Sequence, residues 1–394
     1  MIPSQIRTAP FSMTIYLDNQ ATTPVDPRVL EAMLPYFNEK FGNASSRTHC
    51  LGWDAEEAVE HARTQVAALI GGDPREIIFT SGATESNNLA LKGIAEMHRT
   101  RGNHILSTPI EHPSVLETLE VLSENGFEVD LLPVDRQGRV DPEDVAKALR
   151  EETILVSVMM ANNEIGTVEP LAEIGELVER KGAVFHTDAT QGVGKVGLDV
   201  HSAHVHLASL TAHKIYGPKG CGALYVRRKS PDLRLPRQIH GGGQERGMRA
   251  GTLNVAGIVG LGRAAELCLD ERETEVAHSH QLREQFLEDL RQGLGELQLN
   301  GHPTERIPGT VHITFPGVDS DSLMMAMPEV ALSSGSACAS GTLEPSHVLK
   351  AIGAHPEHAR ASLRIGIGRF NTAEELETVA DQLIATVTKL RRKI

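Results

Sequence analysis

The sequence predicts an α/β protein with a large, mainly parallel, seven-stranded sheet and a smaller α+β domain. Three observations carry that prediction. From about residue 76, short β-branched or apolar runs alternate with amphipathic stretches, the pattern of βαβ units. The chain has 394 residues, roughly two to three times the usual domain size. After Gly241-Gly242-Gly243 the pattern changes to long, charge-rich helical periodicity with fewer strands.

The elements follow in order. Ala55, Ala58, Val59, Ala62, Val66 and Leu69 recur at helical spacing, and Gly71-Gly72 should close that helix. Strands are expected over 76–80, 104–107, 128–132, 153–159, 183–187, 205–209 and 223–226. Helices between them cover 84–99, 113–125 and 171–181, and Asp141-Pro142 supplies a cap followed by proline at the first helical position. A helix is expected over 263–297. The last helix opens on a Thr372-x-x-Glu375 capping box, buries Leu376, Val379, Ala380, Leu383, Ile384, Val387 and Leu390, and ends on the basic run 389–393. The expected division is a large domain over 27–262 and a small one built from 1–26 and 263–394.

Composition excludes several classes. Hydrophobic residues make up 40% and charged residues 23%, the balance of a globular chain rather than a disordered one. The net charge of −14 argues against a protein held on nucleic-acid phosphates or on an anionic membrane. No run reaches the ~18 apolar residues of a bilayer span, and the first residues lack the order of a signal peptide, so a cytoplasmic protein is expected. Cys50, Cys221, Cys268 and Cys338 form no CxxC pair, which suggests neither a disulfide framework nor a thiolate zinc site. No metal is expected; the His201-x-x-His204-x-His206 run, read as strand, lacks a third ligand nearby.

Four stretches offer chemistry. Strand 77–80 runs into Ser81-Gly82-Ala83-Thr84 at a helix start, where backbone N–H groups and the Thr84 hydroxyl can hold a phosphate; an ordinary capped turn reads the same way. Strand 183–187 ends on Asp188, a carboxylate suited to a protonated ring nitrogen or to capping the next helix. Strand 205–209 leads to Thr211, His213 and Lys214, and a lysine near a low-dielectric site can form a Schiff base with an aldehyde cofactor. Cys338 stands among small polar residues in Ser333-Ser-Gly-Ser-Ala-Cys, which suits a nucleophilic thiol. His112, after strand 104–107, lies at the same sheet edge and could stack on a planar ring and pass protons.

From Tyr16-Leu-Asp-Asn-Gln-Ala-Thr-Thr-Pro to Arg364-Ile-Gly-Ile-Gly-Arg-Phe, the chain resembles the NifS/IscS-like cysteine desulfurases. These are pyridoxal-phosphate enzymes of the class V aminotransferase family, with fold type I. The resemblance implies that Lys214 forms the Schiff base, Asp188 partners the pyridine nitrogen, Gln191 lies near the ring hydroxyl, and His112 stacks as the acid/base. Ala83, Thr84, Thr211 and His213 match the phosphate cup, and Thr252 matches a phosphate ligand supplied across a homodimer. Asn163 and Arg364 match the residues holding the substrate carboxylate, the arginine by a bidentate fork. Cys338 matches the nucleophile that takes sulfur from L-cysteine as a persulfide, leaving L-alanine, and Lys214 the group that moves the Cα proton. The Ser-Ser-Gly-Ser-Ala-Cys stretch places the chain with the first group of these enzymes; the Arg-x-Gly-His-His-Cys pattern of the second is absent.

The implied partner is a sulfur-acceptor protein, an iron–sulfur scaffold or a sulfur-relay protein. Many relatives continue beyond the last helix with a tail that helps to dock the scaffold, so the resemblance does not carry that contact over. Residues before Met13 do not match the family's start and read as an extension without a role. Thr-Ala-His-Lys replaces the frequent Ser-Gly-His-Lys with a hydroxyl retained. The competing enzyme readings are an aminotransferase or a selenocysteine lyase, in which Cys338 is dispensable; the non-enzyme reading is a scaffold subunit with a decayed site.

Overall fold

The computed structural model describes residues 14–229, 233–334 and 346–392. In chain order the first elements are β1 (Ile15–Tyr16), α1 (Pro27–Met33), α2 (Pro35–Asn38), α3 (Cys50–Leu69), β2 (Ile77–Thr80), α4 (Ala83–His98), β3 (His104–Ser107), α5 (Pro113–Glu124), β4 (Glu128–Leu131), α6 (Pro142–Ala148), β5 (Thr153–Ser157), α7 (Leu171–Lys181), β6 (Val184–Asp188), β7 (Leu207–Thr211) and β8 (Gly222–Val226). Then come α8 (Val255–Leu294), β9 (Gln298–Leu299), β10 (Thr310–Thr314), α9 (Ser320–Met325), β11 (Val330–Ala331), α10 (His347–Ala351), α11 (Pro356–Arg360), β12 (Ser362–Gly366) and α12 (Ala373–Arg391).

All seven expected strands join one sheet, in the order β2-β8-β7-β6-β5-β3-β4. Its pairs are parallel from β7 to β4, and β8 runs antiparallel to both neighbours. Alternate residues of β2 feed opposite cores, Ile77 and Phe79 on one face and Ile78 on the other, so helices cover both faces. Of the sheet's strands only β4, at one edge, lacks a buried residue; β2, at the other edge, is buried throughout.

Several strand ends differ from expectation by one or two residues. Glu76 belongs to a 3-10 turn capped by Asp73, and the strand expected from 205 begins at Leu207. His204 sits in a left-handed turn at φ 52°, so the histidine run is not strand. His204 pairs with Glu179 at 2.6 Å, while His206 accepts from the Phe185 N–H.

α8 is the 40-residue helix that links the two cores, about 60 Å long at 1.5 Å per residue. It starts at Val255, earlier than the sequence pattern predicts, because Asn254 caps it by accepting from the Gly257 N–H. The expected boundary between 262 and 263 therefore falls inside a helix. Its apolar residues through Cys268 join the core of the large sheet, and those from Leu282 join a second core with Leu17, Ile313, Ile365 and Leu383. There β10 pairs antiparallel with β12 and β9, and β1 lies parallel to β11. The capping box of α12 is present on both sides, with Leu376, Val379, Ala380, Leu383 and Val387 buried; Ile384 and Leu390 pack half-buried against the same core.

Candidate active site

The sheet gathers the predicted residues at the carboxyl ends of its strands, where open α/β sheets bind ligands. Thr80, closing β2, and Thr211, closing β7, both register with Gly222 of β8. A Cβ on Gly222 would stand 2.6 Å from the Gly82 Cα and the Leu210 O, so only glycine lets the start of α4 come this close to the strands. α4 has 16 residues and its N-cap, Gly82, makes no side-chain capping bond. The first-turn N–H groups at Ala83 and Thr84 thus form an uncapped positive helix end beside Thr211. Thr211 is buried and its hydroxyl donates to the Cys221 O at 3.3 Å.

Asp188 ends β6, 4% exposed. Its Oδ2 accepts from Asn87 Nδ2 at 2.8 Å and its Oδ1 from the Thr190 N–H at 3.0 Å. His112 is the N-cap of α5 through its Nδ1, which accepts from the Ser114 N–H at 3.1 Å. Burial pushes its pKa below the ordinary imidazole range; Asp188 opposes that shift, and Lys214 and His347 reinforce it.

Lys214 closes the 3-10 turn after β7. Its Nζ donates to the carbonyls of Gln20 and Ala21, the latter at 2.7 Å. The Gln20 carbonyl also accepts from Gln191 Nε2 at 2.9 Å, which ties the lysine and Gln191 to one backbone atom. His213 Nδ1 lies 3.1 Å from the Thr22 hydroxyl, and burial, with the Lys214, Lys219 and Lys195 charges adding to it, pulls the ring down to about 4.

Arg364 lies on β12, its side chain 3% exposed. Nη1 donates to the Asn163 O at 2.9 Å and Nη2 to Asp18 Oδ1 at 2.7 Å. Asp18 thus already neutralises one arm of the expected fork, and the buried Nε has no hydrogen-bond partner among the described residues. Asn163 thus meets the arginine through its main-chain oxygen. The backbone of Arg364 also pairs with Ser333, and Ser346 donates to Glu164 Oε2 at 2.5 Å. Burial pushes Glu164 up to about 7, against the pull of Ser346 and Arg364.

Cys338 lies outside the described residues. Thr252 is exposed, in a loop whose Arg249 pairs with Glu85 of α4 at 2.9 Å. Cys221 and Cys268 are buried, and burial lifts both thiols to about 12. Cys50, by contrast, is exposed at the first position of α3.

The family model for aminotransferase class-V matches residues 15–379. The chain belongs to that family. Among class V relatives, "Cysteine desulfurase IscS" of Anaeromyxobacter dehalogenans (strain 2CP-C) is 53% identical over 377 residues, 96% of this chain and 93% of the relative. A solved "NIFS-LIKE PROTEIN" superimposes with a TM-score of 0.89 at 38% identity, covering 96% of this chain and 100% of its own. The structure titled "SspA in complex with cysteine" has a TM-score of 0.80 at 37% identity over 91% of this chain and 100% of its own. The expected family and fold are borne out.

Five residues of this class V site escaped the sequence reading: Asp18, Gln20, Asn87, Ser114 and His347. Asp18 and Gln20 stand in a polar run between an apolar strand and Pro24, a signal that was legible. Asn87 and Ser114 read as ordinary helix positions until the sheet brings α4 and α5 side by side.

Proposed function

We infer that this chain is a cysteine desulfurase, converting L-cysteine to L-alanine and leaving a persulfide on Cys338. The observation that carries this reading is the convergence of Asp188, His112 and Lys214 at the carboxyl edge of one sheet, where the Asp188 and Lys214 charges both act on His112. Relatives of more than half identity carry the same name.

The site suits pyridoxal 5'-phosphate. The uncapped helix end at Ala83 and Thr84 with Thr211 and His213 would hold a phosphate, Asp188 a ring nitrogen, and Gln191 a ring hydroxyl. Gln191 Oε1 and Asn87 Oδ1 are buried polar atoms without partners among the described residues, as expected where a polar ligand sits. When bound, that group withdraws electrons from the substrate's Cα and so makes its proton acidic.

The chain's residues then divide the work. Arg364, through Nε and the arm shared with Asp18, anchors the substrate carboxylate beside Asn163. Lys214, placed by the Gln20 and Ala21 carbonyls, takes the Cα proton. His112, half-buried and with its pKa lowered toward the neutral ring, exchanges a proton with the substrate thiol. The Cys338 thiolate attacks the substrate sulfur: an S–S bond forms, the substrate C–S bond breaks with its electron pair left on Cβ, and the carbon fragment takes up one proton at Cβ and regains one at Cα to become alanine. The stored sulfur passes to an acceptor protein, an iron–sulfur scaffold or a sulfur-relay protein. Thr252, exposed on the single chain, serves the second protomer of a homodimer. The reading also takes the chain to be cytoplasmic and divided into a cofactor domain over 27–262 and a small domain from 1–26 and 263–394. Among the described residues no helix is long and apolar enough to cross a membrane.

The test is a Cys338→Ala variant assayed with L-cysteine. Loss of alanine formation and of the +32 Da persulfide mass (one sulfur atom, about 32 Da) supports the reading. Alanine formation at the wild-type rate overturns it.

A further inference from the structure

We propose that Asn87 and Ser114 are positioning residues, joining Asp188 to His112 through one hydrogen-bonded chain that fixes which imidazole nitrogen carries the ring proton. The proposal rests on the roles given above to His112 and Asp188.

The chain can be read atom by atom. Asn87 Nδ2 has two hydrogens; one goes to Asp188 Oδ2 at 2.8 Å and the other to Ser114 Oγ at 2.9 Å. Having accepted from Asn87, Ser114 Oγ keeps its own hydrogen, and His112 Nδ1 stands 2.8 Å away. The direction of that last bond is decided by a second donor. The Ser114 backbone N–H points at the same Nδ1 at 3.1 Å, and an amide N–H only donates, so Nδ1 bears no hydrogen. The neutral ring therefore carries its proton on Nε2, which makes no hydrogen bond among the described residues.

The linking groups are buried, Asn87 at 0% and Ser114 at 9% exposure. Polar side chains in such places cost stability unless bonded, and an apolar residue would satisfy the packing of α4 on α5 equally well. What an apolar residue cannot do is transmit the orientation of one site group to another. Two donors on Nδ1 favour the bare nitrogen and so oppose its protonation. The other groups acting on His112 are Asp188 on β6 and Glu117 on α5, which favour the charged ring, and Lys214 and His347, which disfavour it. His347 is further fixed by donating from Nε2 to the Glu111 O at 2.9 Å, one peptide before His112.

The experiment is imidazole nitrogen NMR of the cofactor-loaded, full-length protein, with the His112 signal assigned by its loss in His112→Gln. The wild-type ring is expected as the Nε2–H tautomer. Ser114→Ala removes one donor from Nδ1, and the midpoint of His112 protonation should rise by about 0.5–1 pH unit, with the acid limb of kcat/KM moving by the same amount. Ser114→Thr, which keeps the hydroxyl, should restore both. Asn87→Ala should shift the midpoint less, and adding it to Ser114→Ala should change nothing further, because the chain is already cut. A wild-type ring protonated on Nδ1, or a titration unmoved by Ser114→Ala, overturns the chain. His112→Gln with wild-type turnover overturns the catalytic reading of His112 instead, a separate result from an unmoved titration.

Discussion

Replacing Arg364 with lysine tests the proposed carboxylate anchor separately from the fold. The guanidinium is 3% exposed and holds both Asp18 and the Asn163 carbonyl. An apolar replacement would strand the Asp18 carboxylate and mix stability with binding. Lysine keeps the positive charge opposite Asp18 but offers a point donor in place of the planar group, and it has nothing at the position of the unpartnered Nε. One charge-assisted hydrogen bond to the substrate is lost, worth about 1.5–3 kcal/mol. That converts to roughly a 10- to 150-fold rise in KM for L-cysteine. The assay is steady-state alanine formation across a cysteine titration, paired with a thermal melt of the same preparation. A KM within threefold of wild type, with the melt unmoved, would refute the assignment of Arg364 as the anchor.

Three other perturbations probe the scaffold beneath the site. Arg63 and Glu245 form a buried pair at 2.8 Å, and Glu245 also accepts the Phe79 N–H; Glu245→Ala should cost about 3–5 kcal/mol, seen as a lower midpoint in urea, whereas an unchanged midpoint would show that the pair contributes nothing. Burial holds Glu169 up at about 8, so between its ordinary value and that point the folded protein binds a proton the unfolded chain has lost, and stability falls as pH rises. In Glu169→Gln, which keeps an acceptor for the Val140 N–H, that fall should weaken by up to about 1.4 kcal/mol per pH unit; parallel stability curves for the two proteins would contradict it. Lys195 Nζ is buried with no hydrogen-bond partner among the described residues, and burial pulls it down to about 8. Its ammonium destabilises the fold below that pH, and the penalty is relieved as pH rises toward the unfolded value. Lys195→Met should therefore raise the melting temperature at pH 7 and lose that advantage near pH 10, and a lower melting temperature at pH 7 would count against it.

Much of the architecture was legible because parallel strands covered on both faces leave continuous apolar runs, and because caps such as Asp141-Pro142 and Thr372-x-x-Glu375 mark helix starts locally. Boundaries were less so: α8 runs through the expected domain border because a helix can exchange one core for another along its length without any break in its own hydrogen bonds. His204 and His206 misread as strand for a related reason, since a left-handed turn at His204 leaves no mark in apolar periodicity.

For the site, the sequence alone determined the chemical groups: an acid, an imidazole and a lysine each placed just after an apolar run, and a small-residue turn opening a helix. It could not determine their partners. Asp188 meets Asn87, and Asn87 meets Ser114, only after β6, α4 and α5 are laid against one sheet. Arg364 meets Asp18 across nearly the whole chain, and that contact engages one arm of the guanidinium. Local patterns report which side chains a segment carries, whereas hydrogen-bond direction, burial and charge neutralisation depend on atoms brought together from distant segments by packing.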